Sequence, residues 1–264
     1  MYAKLSLIFL LSIFSSLAIA TDLRLATTTS TKGSGLLNVL VPAFEKDSGY
    51  KLKVFSVGTG TALRLGRQGK VDVLLVHAPT AEKKFISDDY GVLRTAVMEN
   101  DFIVVGPEND PAKIHATKDV SSAFIKIQSS QSLFVSRADD SGTHKKEMSI
   151  WNAGKIQPYG DWYYEMGAGM GAALQTANNQ SAYILIDRGT WLAKRDKTNL
   201  VVHVEGDPLL LNPYHVIAIN PKKYPKTKFT AAKSFINWIT NIKGQTIINQ
   251  LKVNNEKLFT GLKK

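Results

Sequence analysis

The sequence contains no cysteine. That excludes a disulfide framework, a lipid-anchored cysteine start, a thiol nucleophile and a Cys-based metal site. Histidine is scarce too: His77, His115, His144, His203 and His215 are dispersed and show no H-x-x-x-H spacing, which argues against a metal-dependent hydrolase. Of the five, only His144, adjoining Thr143, has a claim on a ligand site. Gly33-Ser34-Gly35 lacks the spacing of a serine nucleophile turn, and Gly69-Lys70 is followed by Val71, so no Walker-type phosphate loop exists. These absences predict a protein that is not an enzyme and uses no metal or cofactor. Lysine and arginine outnumber acidic residues 33 to 22, giving a net charge of +11. The lysines are scattered, with no dense basic run interleaved with aromatics. That pattern predicts a solvated basic surface without a nucleic-acid partner, attracting anions as a secondary effect.

Only the start of the chain has a long apolar run. Lys4 precedes Leu5–Leu17, and Ala18-Ile19-Ala20 follows as a small-x-small cleavage site. Ser12, Ser15 and Ser16 interrupt a run shorter than the roughly 20 residues that span a bilayer. Residues 1–20 therefore read as a cleaved signal peptide, with the mature chain starting near Thr21 in a periplasm-like compartment. The remainder is long enough for two compact units with cores built without disulfides.

After the signal, short apolar runs alternate with helical patterns. Leu23–Ala26, Lys51–Val57 and Val71–Val76 read as strands, with helices at Ser34–Lys46 and Thr61–Gln68 between them. This alternation predicts a parallel sheet covered on both faces. Gly91–Met98 and Phe102–Gly106 continue it. Pro107–Pro111 (PENDP) reads as a crossing to a second unit. That unit carries helices at Ser121–Gln128 and Ser141–Asn152, strands at Ser132–Ser136, Tyr183–Ile186 and Leu200–Val204, and a Gly-rich helix start at Gly167–Gly171. Gly206–Pro213 returns the chain to the strand Tyr214–Asn220. The stripe Phe229, Ala232, Phe235, Ile236 and Ile239 then reads as a core-facing helix, with a last helix around Ile247–Leu251. The expected division is 21–108 with 210–264 in one lobe and 109–209 in the other. Two crossings make a hinge, and the cleft between the lobes is the natural ligand site.

Three segments place hydroxyls and flexible backbone where a strand gives way to a helix: Thr27–Thr31, Gly58–Thr61 and Ser141–Thr143. Helix starts offer unpaired N–H groups and a positive dipole end to anions. Read singly, each is equally an ordinary N-cap. Together, two in one lobe and one in the other, they describe a converging donor cage that includes Thr59. Arg137 adds paired donors and a fixed charge suited to a tetrahedral anion; the alternative is a salt bridge with Asp139 or Asp140. Arg64 and Arg67 read as solvated or structural.

Along nearly its whole mature length the chain resembles the periplasmic tungstate-binding proteins of ABC transporters, of the TupA type. The resemblance is carried by LATTTST at Leu25–Thr31, VGTGTAL at Val57–Leu63, VGPENDPA at Val105–Ala112, SRADDSGTHKKE at Ser136–Glu147 and NPYHVIAINP at Asn212–Pro221. It implies an α/β type II periplasmic binding protein fold: two lobes, each a mainly parallel sheet flanked by helices, joined by a two-crossing hinge. It also implies that Thr28, Thr29, Ser30, Arg137, Ser141 and Thr143 hold the oxyanion, and that a membrane permease receives it from a single copy of the chain. Phosphate-binding proteins share an R-x-D-x-SGT-like segment, so that motif alone leaves phosphate open. Phosphate carries a proton near neutral pH and benefits from a buried carboxylate acceptor, whereas tungstate suits an all-donor site. The TTTS loop favours tungstate, with molybdate as the nearest alternative by charge and size. An exported enzyme acting on phosphate esters is the remote alternative.

Overall fold

The structure is a computed structural model that describes residues 22–262; the signal-peptide reading at 1–20 lies outside the described residues. Strand β1 (Asp22–Thr28) runs into a single-turn helix α1 (Thr29–Gly33) and then α2 (Leu36–Ser48). Next come β2 (Lys51–Val57), α3 (Thr59–Arg67), β3 (Val73–Val76) and α4 (Pro79–Ser87). The parallel core β2-β1-β3 pairs Thr28 with Val57 and Leu25 with Val73. β3 and the second half of β1 are buried on both faces, as a doubly covered sheet requires, while the edge strand β2 exposes Lys51 and Lys53. Leu23, Leu25, Val73 and Leu75 pack with Phe44 of α2, while Ala26, Leu74 and Val76 pack on the other face with Leu63 and Phe85.

The central element is β4 (Gly91–Pro107), a single strand of 17 residues. The chain continues through α5 (Val120–Ser129), β5 (Phe134–Ser136), α6 (Gly142–Ala153), β6 (Tyr163–Glu165), α7 (Met170–Asn179), β7 (Ile184–Asp187), α8 (Arg188–Lys194) and β8 (Leu200–Val204). It returns along β9 (Leu211–Ile219) to α9 (Phe229–Thr240) and α10 (Ile242–Gln250). Two-residue strands β10 (Lys252–Val253), β11 (Glu256–Lys257) and β12 (Thr260–Gly261) close the described chain.

The sheet order is β12-β4-β9-β3-β1-β2, with β7 and β8 also paired to β4. Both crossing strands run against their neighbours: β9 is antiparallel to β3 and to β4. Up to Asp101, β4 pairs with β9; from Phe102 it pairs with β7 and then β8. The change of partner thus falls between Asp101 and Phe102, inside an unbroken strand, and not at Pro107–Pro111. That segment only ends β4 in a turn closed by Asp110 N–H donating to Pro107 O at 3.0 Å. The second unit surrounds an aromatic core of Phe124, Phe134, Trp151, Trp162 and Tyr183. The first is lined by the α9 stripe, where Ala232, Phe235, Ile236, Trp238 and Ile239 are buried.

Candidate functional site

The carboxyl ends of the parallel strands meet where the two units face each other, which is where open α/β sheets bind ligands. Thr28 ends β1, Gly58-Thr59 follows β2, His77 follows β3 and Arg137 follows β5.

On the β1 side, Thr28 caps α1 and accepts a bond from the Thr31 N–H at 3.2 Å. Its hydroxyl oxygen also lies 2.9 Å from Ser30 Oγ, 2.7 Å from Thr31 Oγ1 and 3.2 Å from His77 Nε2. Ser30 Oγ is 3.3 Å from the same Nε2. On its other edge His77 Nδ1 lies 2.9 Å from Asn212 Oδ1, and Asn212 Nδ2 donates to Asn100 Oδ1 at 2.7 Å. The ring stacks on Tyr214 with centroids 4.5 Å apart. Burial holds the His77 imidazole below its usual value, against the opposing effects of the Asn212 bond and of Asp187 and Glu82. Nearby, Thr59 opens α3, whose N-cap Gly58 offers no side chain. The Thr59 hydroxyl is buried and has no hydrogen-bond partner. Such an orphan costs about 1–3 kcal/mol unless a ligand satisfies it.

On the β5 side, Arg137 is buried. Its Nη1 donates to Thr143 Oγ1 at 3.3 Å and its Nε to Ala168 O at 3.4 Å, while Nη2 pairs with Asp139 Oδ2. The salt-bridge alternative at Asp139 is therefore present, yet of five guanidinium N–H groups these bonds engage three, leaving one on each terminal nitrogen. The turn after Arg137 holds Ala138 at φ 46° and Asp140 at φ 55°; for alanine this is a strained conformation. Ser136 Oγ steadies it by accepting from Ala138 N–H at 3.3 Å, and itself donates to Glu147 Oε2 at 2.9 Å. Ser141 caps α6 by accepting from His144 N–H at 3.3 Å, so its own hydroxyl hydrogen stays available. The N–H groups of Gly142 and Thr143 precede the first intrahelical bond, Lys145 N–H to Ser141 O. The start of α7 also lies close by, because Ala168 N–H donates to Arg137 O at 3.2 Å.

The two sides touch. A Cβ added at Gly142 would lie 2.8 Å from His77 Cε1 and 3.4 Å from Thr59 Oγ1, and one at Gly60 would lie 3.0 Å from Asp140 Oδ2. Glycine is required at 142 for that approach. The structure thus brings Thr28, Ser30 and Thr59 to Arg137, Ser141 and Thr143. Thr29, the first residue of α1, lies between Thr28 and Ser30 in sequence with an exposed side chain. His144 also serves locally, its Nδ1 accepting from Asp140 N–H at 3.2 Å. His77, which the sequence pattern did not mark, lies in the cleft as well and lines the same groove as His144. Its signal was position: it directly follows a fully buried strand at the end where such sheets carry their sites. Asp187, the buried N-cap of α8, was missed as well; its two oxygens accept from Thr190 N–H and Thr190 Oγ1. A groove of about 630 Å³ passes His77 and Gly142 between α4 and α6, with Lys84, Lys145 and Lys146 on its walls.

A family profile described as a PBP superfamily domain matches residues 17–242. The chain is 46% identical to the tungstate-binding protein TupA of Peptoclostridium acidaminophilum, over 86% of this chain and 80% of the relative. Among solved structures, the tungstate-binding protein TupA of Desulfovibrio alaskensis superposes with a TM-score of 0.83 at 40% identity, covering 93% of this chain and 100% of that one. The structure described as the tungstate ABC transporter from Geobacter sulfurreducens gives a TM-score of 0.78 at 46% identity, covering 86% and 97%.

Proposed function

We propose, from the premise that this chain belongs to the TupA family of the periplasmic binding protein superfamily, that it captures tungstate between its lobes and hands it to the permease of an ABC transporter. The observation that carries this reading is the buried, unbonded hydroxyl of Thr59, set where Gly142 of the opposite unit comes closest. Around it stand mainly groups able to give hydrogens to an anion: Thr28, Ser30, Arg137, Ser141, Thr143 and the first N–H groups of α3 and α6. Two of the three nearby carboxylates are fully engaged, while Asp140 pairs with Lys145 through Oδ1 alone. Asp139 accepts from Arg137 and from Ser141 N–H, and Asp187 from Thr190. Donors thus outnumber acceptors around Thr59, which supports a fully ionised dianion, tungstate before molybdate.

Binding without turnover is the mode we infer. Thr28, the hydroxyl nearest the imidazole, shares its hydrogen-bonding capacity with Ser30, Thr31 and His77, which favours a donor role over that of a nucleophile. We place the protein outside the cytoplasm, exported through residues 1–20, with the lobes moving about β4 and β9 where β4 changes partners. Thermal-shift competition among tungstate, molybdate, sulfate and phosphate tests the reading, alongside a panel of phosphate esters. Preferential stabilisation by tungstate with no ester turnover is expected; preferential stabilisation by phosphate, or turnover, would overturn it.

A further inference from the structure

We propose that His77 is the proton-accepting member of the oxyanion site: it aims the hydroxyls of Thr28 and Ser30, and it takes up a proton when the anion binds. The inference rests on the oxyanion reading above. Asn212 fixes the ring. Asn212 Nδ2 donates to Asn100 Oδ1, so Asn212 Oδ1 faces His77 Nδ1 at 2.9 Å and can only accept. In the neutral ring the hydrogen must therefore sit on Nδ1, leaving Nε2 as a bare lone pair. That lone pair faces Thr28 Oγ1 and Ser30 Oγ, and it holds one of their hydrogens away from the cleft.

A dianion reverses this preference. With Nε2 protonated, the ring donates to both hydroxyl oxygens, and both hydroxyl hydrogens turn to the anion. The added positive charge lies in a buried setting, where it is weakly screened. The groups packed around the ring are Thr28 and Ser30 from the β1–α1 junction, Asn212 and Tyr214 from β9 and Gly142 from α6. The charges acting on it are Asp187 and Glu82, which favour the imidazolium, and Arg137, which opposes it. Burial keeps the ring neutral near pH 7 without the anion. The proton comes from solvent, one per site at most.

The sign follows from linkage. Because the bound state prefers the imidazolium, its pKa there lies above the free value, so affinity is highest below the free value and falls as pH rises to the bound one. Titration calorimetry of the wild-type protein with micromolar tungstate, in buffers of different ionisation enthalpy, reads the protons taken up per anion. Expected is net proton uptake on binding and an affinity that falls as pH rises, about tenfold for each pKa unit that separates the free from the bound ring. His77→Gln keeps a hydrogen-bonding group near Nε2 but cannot titrate; it should bind more weakly, with no uptake and a flat pH profile. If that variant does not fold, imidazole nitrogen shifts of the wild-type protein should show one ring gaining a proton at Nε2 on binding. Binding without proton uptake, undiminished uptake in His77→Gln, or no change in any ring overturns the role of His77 and leaves the oxyanion site standing. No binding of tungstate, molybdate, sulfate or phosphate overturns both.

Discussion

The two faces of the cleft hold an anion by different means. On the β1 face every side-chain donor is neutral, and its hydroxyls already bond one another and an imidazole: Thr28 alone meets Thr31, Ser30 and His77. On the β5 face a buried guanidinium stands beside the start of α6, with Asp139 compensating part of its charge. A network of neutral donors fixes spacing, because moving one hydroxyl disturbs the others. A buried cation supplies attraction with little demand on geometry. The difference implies that charge recognition resides on one lobe and dimensional selection on the other.

The buried carboxylates beneath the faces differ in the same sense. Asp72, under β1, takes paired bonds from the Arg24 guanidinium at 2.6 and 3.0 Å; these and the backbone N–H bonds overcome desolvation and hold it below its ordinary value. Glu147, under the Arg137 turn, meets only neutral donors, Ser136, Trp151 and Tyr163. Desolvation pushes it up to about 7.

Breaking the contrast at its strongest point means removing the cation. Arg137→Ala should weaken tungstate binding by about 2–5 kcal/mol, the range for truncating one partner of a buried charge pair, read by titration calorimetry. Undiminished affinity would remove Arg137 from the site. A second intervention converts Glu147 to an uncharged analogue. Its raised folded pKa means that its contribution is fully present below the unfolded value near 4.5 and is lost as pH climbs to about 7. The loss is about 3 kcal/mol by that difference. Thermal melts should show Glu147→Gln stabilising the protein at pH 8 but not at pH 4, flattening that part of the profile. A wild-type profile that rises between these pH values would contradict this. The smallest effect separates two threonines of one face. Thr28→Val removes a bonded hydroxyl and should cost about 1–2 kcal/mol of stability, whereas Thr59→Val removes an orphan and should gain about 1 kcal/mol while weakening tungstate binding. Equal shifts in melting temperature for the two variants would mean that Thr59 is bonded after all.

Individual strands were legible from their apolar runs: Lys51–Val57 and Leu200–Val204 coincide with β2 and β8. The donor-rich junctions were legible only because three of them converge, since Thr28 and Ser141 each also serve as ordinary N-caps, and Thr59 emerged on that ground. The continuity of β4 was not. Glu99-Asn100-Asp101 looks like a break, since polar side chains are poor strand formers when unpartnered. Here Asn100 is bonded by Asn212 of β9, and Asp101 by Arg188 of α8 at 2.5 and 2.7 Å. Those partners lie 87 and 112 residues away in the chain, so no local pattern reveals them. His77 escaped notice similarly: a lone histidine gains meaning only from Asn212 and Thr28, brought beside it by three different strands.

A strand that passes unbroken from one unit to the other, exchanging one ladder for the next at Asp101, resembles a flexure more than a pivot. Relative rotation of the lobes must be stored as small torsional changes spread along β4, and the stiffness opposing it grows with every peptide bond pair retained near Asp101. Such a joint has no slack and no friction of rearrangement. Any rotation of the lobes about it would proceed without a loop having to refold.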